Sequence, residues 1–189
     1  MLDGAIELFA LHGYQAIGLR DLAVHVGLTT GALYNHFESK QTLLYELIEA
    51  TWSDLLFLTR RRLKYTPAAT ERLRKFVRAF SDFQGGAGHR VTLMLREHLN
   101  LTELQRAKVD ALKDEYLKLL IDIVSRIHSA SGCQASTVRP AAEAIIGMML
   151  SQSYYIRSSP QSEATPDLLE RFALGIILSD RSFLRPQPH

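Results

Sequence analysis

The chain has 189 residues, 47% of them hydrophobic, a formal net charge of +2 and one cysteine, Cys133. That is enough apolar content for a sizeable core and against disorder, while a lone thiol excludes a disulfide framework or a cysteine zinc site and suits a reducing compartment. No apolar run approaches the roughly 20 residues of a membrane helix, and the opening MLDGAIELFALHGY shows no basic n-region, so an intracellular, cytoplasmic protein without a membrane partner is expected.

Apolar residues recur at spacings of three and four from end to end, which predicts an all-α fold of about nine helices. The first carries Leu2, Ile6, Leu8 and Phe9 and stops at Gly13; the second runs from about Leu19 to Val26, and the third from Thr30 to Phe37. The fourth begins after Ser39, a good N-cap, and its apolar stripe from Leu43 to Leu58 continues to about Tyr65. Thr66-Pro67 reads as the cap and first residue of a fifth helix, ending before GGAGH, the segment expected to be most flexible. A sixth helix spans roughly Arg90 to Leu99, and Thr102 with Gln105 forms a capping box for a seventh that reaches Ser131. The eighth covers Val138 to Arg157. The polar loop SSPQSEATP then leads into a ninth, opened by Thr165-Pro166, and the tail RPQPH should fray.

Residues 13 to 37, GYQAIGLRDLAVHVGLTTGALYNHF, form two short helices around the turn Gly27-Leu28-Thr29. Leu22, Val26, Leu28, Leu33 and Phe37 face inward, and Ala23 is small where the helices approach. Thr29, Thr30, Gly31, Tyr34, Asn35 and His36 are left outward. Such a surface suits a DNA major groove, where Asn bonds adenine, Thr meets a base or a thymine methyl, and Gly admits close backbone approach.

This stretch, extended through ESKQTLL, closely resembles the signature of the TetR/AcrR family of bacterial transcriptional regulators. The resemblance rests on Gly13-Tyr14, Leu22-Ala23, Gly27-Leu28-Thr29, Gly31, Leu33-Tyr34, His36-Phe37 and Ser39-Lys40. It implies a helix-turn-helix DNA-binding domain over residues 1–50 and a helical ligand-binding and dimerisation domain over 51–189. It also implies a homodimer that binds a palindromic double-stranded operator, usually as a repressor, and is released by a small-molecule effector. Carried onto these residues, it makes Thr30, Tyr34, Asn35 and His36 base or phosphate contacts, with Arg20 and Lys40 on phosphates. The weaker cadence LREHLN…YLKLL…IIGMM resembles branches linked to lipid or acyl-thioester metabolism. The chain departs from the family at Gly18, where Ser or Thr usually caps the second helix. It also lacks a basic segment ahead of the first helix, and residues 1–65 hold six Lys/Arg against seven Asp/Glu. A modest salt dependence is therefore expected, because non-specific affinity rests on cations that release counterions.

In the body, Phe76, Phe80, Phe83, Met94, His98, Tyr116, Met148, Gln152 and Tyr155 are candidate linings of an apolar effector pocket with a few polar groups. The ninth helix is apolar nearly all round. Leu169, Phe172, Ala173, Ile176 and Ile177 are therefore candidates for a partner subunit. The run Arg60 to Lys64 reads as a solvated helix face and Cys133 as a loop residue. His89, Glu97 and His98 lack metal-ligand spacing, so neither metal nor cofactor is expected. No catalytic motif is present; a helical enzyme or an interaction protein without DNA binding is the competing reading. The expected switch is an effector that displaces the sixth helix against Leu55 to Leu63 of the fourth.

Overall fold

The computed structural model of the protein describes residues 2–131, 135–155 and 166–179, with 153–155 described through the backbone alone. Cys133, the loop after α7 and the C-terminal tail lie outside these residues. The described residues form eight α-helices and no strand: α1 (Leu2–His12), α2 (Leu19–His25), α3 (Thr30–His36), α4 (Lys40–Leu63), α5 (Ala69–Arg96), α6 (Glu103–Ser131), α7 (Val138–Tyr155) and α8 (Pro166–Leu178). Short 3-10 turns sit at His98–Asn100 and Ala135–Thr137.

The expected fifth and sixth helices adjoin as the two arms of α5, which meet at a kink inside GGAGH, where Ala87 (φ −142°, ψ 37°) leaves helical geometry. Each glycine costs about 1 kcal/mol of helix propensity, but buried Phe76, Val77 and Phe80 on one side and Val91, Leu93 and Met94 on the other anchor both halves. Packing holds each arm, and the backbone leaves helical geometry between them. The start of α5 differs, falling at Ala69 instead of Pro67. Tyr65 takes a left-handed φ of 60° just past α4. Thr66 does not cap the helix; its hydroxyl accepts from Lys75 Nζ at 2.9 Å. Arg72 reaches back from α5 to cap Leu63 O at 3.1 Å.

Two compact units emerge: Met1–Leu55 with Gln84–Lys113, and Leu56–Phe83 with Asp114–His189. The second half of α5 and the first third of α6 pack within the first unit. The first unit has Phe9, Leu22, Leu33, Leu44, Ile48, Leu93, Met94 and Val109 as its core, and the second Leu73, Phe76, Phe80, Tyr116, Leu120, Ile123, Ile145 and Ala173. On α4 the buried Thr51 turns its hydroxyl onto Leu47 O at 2.6 Å. The arginines after it lie on a surface face, Arg60 pairing with Glu115 at 2.6 Å and Arg62 with Asp82 at 2.5 Å.

Candidate nucleic-acid interface

Helices α2 and α3 owe their angle to a locally determined turn. Gly27 adopts φ 71°. Its N–H donates to Val24 O at 3.2 Å and that of Leu28 to Ala23 O at 2.8 Å. This 6→1 and 5→2 pair is a Schellman motif, which a left-handed glycine closes without steric cost. Thr29 then caps α3, its hydroxyl accepting from Ala32 N at 3.2 Å. At the start of α2, Gly18 offers no side chain. The Asp21 carboxylate still accepts the Gly18 N–H at 2.9 Å, so half of a capping box survives.

Leu22, Ala23 and Leu33 are buried beneath this turn, while Val26, Leu28 and Phe37 are half-buried. On the other side of α3 stand exposed Thr29, Gly31, Tyr34, Asn35 and His36, with Thr30 half-buried. Arg20 is exposed on α2. Tyr34 leaves 55% of its surface exposed, unusual for an aromatic residue in a small head. Among the described residues Arg20, Tyr34 and Asn35 make no side-chain hydrogen bond, so their donors and acceptors are available to a ligand.

Lys40 opens α4, where Ser39 Oγ accepts from Thr42 N at 3.0 Å. Its ammonium lies 4.1 Å from the centre of the Tyr14 ring. Burial pulls the Lys40 ammonium below the usual lysine range, against an opposing pull from the Glu97 charge. Burial, and then Glu97, push the Tyr14 phenol up. It remains a donor, to Gln41 Oε1 at 3.0 Å.

Beneath Tyr14 lies a polar cluster that sequence reasoning missed. Glu97, only 3% exposed, accepts the Tyr14 N–H on Oε1 at 3.2 Å and Asn100 Nδ2 on Oε2 at 2.6 Å. Arg96 Nη1 reaches Ala10 O at 3.4 Å, and Arg96 Nε stands 3.4 Å from Glu97 Oε1. Gln41 Nε2 donates to Asn100 O at 3.0 Å and to Gln105 Oε1 at 2.9 Å, and Gln15 Nε2 to Asn100 Oδ1 at 2.8 Å. The sequence held one signal: Glu97 sits four residues after Leu93 and three after Met94, an acid on an otherwise apolar face.

Comparison with known proteins agrees with this head. Residues 1–47 match the profile of bacterial regulatory proteins of the tetR family, and residues 66–154 that of the tetracyclin repressor-like C-terminal domain. The chain belongs to the TetR family. Like its relatives in that family, it is a transcriptional regulator. The transcriptional activator FasR of Mycolicibacterium smegmatis is 29% identical over 158 residues, which span 82% of this chain and 69% of that protein. The TetR-family regulator PfmR of Thermus thermophilus superposes with a TM-score of 0.82 at 26% identity, over 97% of this chain and 98% of that one. AibR, solved in complex with isovaleryl coenzyme A and operator DNA, superposes with a TM-score of 0.79 at 24% identity, over 93% and 94% of the two chains.

The TetR-family body places the remaining candidates less uniformly. Phe76, Phe80 and Tyr116 are buried together in the second unit, with Phe76 and Tyr116 ring centroids 4.7 Å apart. Burial pushes the Tyr116 phenol up, opposed by the hydroxyl of Thr59, whose side chain is likewise fully buried. Phe83, Met148 and Gln152 of that unit are half-buried. Met94 and His98 belong to the first unit. His98 turns to Asp110 at 3.0 Å, and Asp110 also meets Lys113 at 2.9 Å. The Tyr155 side chain lies outside the described residues.

Helix α8 buries one apolar face and leaves apolar residues on the other. Leu169, Ala173 and Ile177 are buried in their own unit, which removes them from any partner-facing surface. Phe172 is 52% exposed, Ile176 is half-buried, and Leu168 and Leu178 are also exposed. Glu170, beside the buried stripe, accepts Arg74 Nε on both oxygens at 3.0 and 3.1 Å. Among the described residues no helix is long and apolar enough to cross a membrane, and no three His, Cys, Asp or Glu side chains form a group able to hold a metal.

Proposed function

We propose that this TetR-family regulator acts in the cytoplasm as a homodimeric repressor of a near-palindromic operator, released by an acyl-type effector. The observation that carries the DNA reading is the exposed face of α3, where Tyr34 and Asn35 stand without internal partners on a helix fixed by a Schellman turn and a threonine cap. Thr29, Thr30, Gly31, Tyr34, Asn35 and His36 meet the major groove, and Arg20 and Lys40 bind phosphates. A two-fold dimer offers two such helices, so its half-sites lie about one helical turn apart or somewhat more. The exposed face of α8, Leu168, Phe172 and Ile176, supports pairing with a second copy, because an apolar helix face seeks cover. No catalytic step is assigned to the chain.

The effector reading rests on the second unit. Phe76, Phe80 and Tyr116 form an aromatic core into which two hydroxyls, of Tyr116 and Thr59, are built. An apolar cavity with a few polar groups is what an acyl chain with a polar end requires, and the isovaleryl coenzyme A bound to AibR is of that class. Differential affinity of about 1–3 kcal/mol for the two states weakens operator binding roughly 5- to 150-fold, and operator weakens effector binding equally.

Selection of bound duplexes from a random pool tests the DNA reading. A palindrome should be enriched, and Tyr34→Ala and Asn35→Ala should each lose about 1–3 kcal/mol of specific binding while remaining folded. Lys40→Ala should weaken all sequences alike and lower the salt slope by about one. No enrichment, or mutants that bind like wild type, would overturn the assignment.

A further inference from the structure

Helix α1 does not finish itself. Gly13, at φ 88°, gives its N–H to Phe9 O at 2.9 Å, which is the single 5→1 bond of a left-handed C-terminal cap. The carbonyl of Ala10 and the N–H of Tyr14 are among the backbone groups at this helix end that need partners outside its ladder. Both find them on the residues that end α5. Arg96 donates to Ala10 O, and Glu97 accepts from Tyr14 N across 83 residues of sequence. A cation at a helix C-terminus also meets the negative end of the dipole.

The consequence reaches the candidate DNA surface in two steps. The backbone that Glu97 pins is that of Tyr14, whose ring supports Lys40 at 4.1 Å and whose hydroxyl holds Gln41, the next residue of α4. We propose that Glu97, aided by Arg96, is a positioning residue for DNA binding: it completes the cap of α1 and through Tyr14 fixes the phosphate-binding Lys40, so that the end of α5 directly governs the head. The inference rests on the DNA-binding reading of Lys40. It places the control point away from Leu55 to Leu63 of α4. The second half of α5 touches α4 nearer the head, where Arg90 reaches Thr51 Oγ1 at 3.4 Å and Asp54 at 2.5 Å, and its end holds the turn after α1.

The test uses the full chain and the duplex that wild type selects, with binding measured across a salt series and amide exchange followed by mass spectrometry. Glu97→Ala should weaken binding about tenfold, a fold-change within reach of one lost hydrogen bond to a charged group. It should also flatten the salt slope by about one, the mark of one phosphate contact. Exchange in the peptide holding Tyr14 should speed up, while that holding Gly27 and Leu28 stays as in wild type. Glu97→Gln keeps an acceptor for the Tyr14 N–H but sets an amide nitrogen against Asn100 Nδ2, so it should restore slope and protection in larger part than Glu97→Ala. Should Glu97→Ala not fold, Glu97→Asp, which draws the carboxylate back by one methylene, should show the same faster exchange and flatter slope in smaller measure. Weaker binding at an unchanged slope, or an unchanged Tyr14 amide, overturns the proposal and leaves the DNA reading standing. If wild type selects no duplex, the DNA reading fails, and with it the role assigned to Lys40; the exchange contrast then still decides whether Glu97 caps α1.

Discussion

Helices α1 and α2 stop at the same kind of residue and are closed in opposite ways. Both end at a glycine with positive φ, Gly13 at 88° and Gly27 at 71°. After α2 the next residue bonds back into its own helix, and an added Cβ at Gly27 would meet nothing within 4 Å. After α1 the next residue bonds to Glu97, and a Cβ at Gly13 would lie 3.0 Å from Arg96 Nη2. One end is a property of a few neighbouring residues and the other of a fold. The helix pair that faces DNA in the proposed function is thus locally specified, while the helix behind it is held by the segment through which an effector would act.

Paired substitutions break or sharpen this contrast. Gly13→Ala carries the largest expected effect, about 1–3 kcal/mol. A left-handed alanine costs about 1–2 kcal/mol, and displacing Arg96 from the Ala10 carbonyl adds up to about 1 kcal/mol. Gly27→Ala carries only the first cost, about 1–2 kcal/mol. Urea unfolding of both variants measures the difference, and equal losses would mean that the distant cap contributes nothing. A double-mutant cycle is sharper still. Gly13→Ala and Arg96→Ala share a contact and should couple by about 0.5–1 kcal/mol, whereas Gly27→Ala and Arg96→Ala should add. The smallest effect is expected at the other end of α2. Gly18→Ser supplies the missing hydroxyl of the capping box and should raise stability by a few tenths of a kcal/mol, because Asp21, whose Oδ2 lies 3.0 Å from the new Cβ, is a flexible side chain that can yield. A loss there instead would show that α2 depends on more than its local signals.

The same contrast explains what could be read in advance. The turn at Gly27, the Ser39 cap and the Thr102–Gln105 capping box are written in residues at most a few positions apart, and each is present as expected. The outward set on α3 follows from helical periodicity once the turn is fixed. The cap on α1 was not legible, because its partner lies 83 residues away and only the fold brings them together. The GGAGH interruption was legible for the local reason: glycines there disfavour a helix, and α5 leaves helical geometry at Ala87. Apolar type and spacing reveal that a side chain is buried but not which core receives it: Met94 falls in the first unit and Phe76 in the second. On α8, Leu169, Ala173 and Ile177 repeat at four-residue intervals and take the inner face, leaving Phe172 and Ile176 as the candidates for a partner.

Thr51 gives α4 a mechanical property besides its place in the core. Its hydroxyl bonds to Leu47 O, the carbonyl one turn earlier that an α-helix reserves for its own backbone. Such sharing weakens the ladder slightly and favours a bend at that turn. The turn from Leu47 to Thr51 is therefore where α4 is expected to yield first, and Thr51→Val would return the Leu47 carbonyl to the backbone ladder while removing the acceptor that Arg90 Nε meets at 3.4 Å.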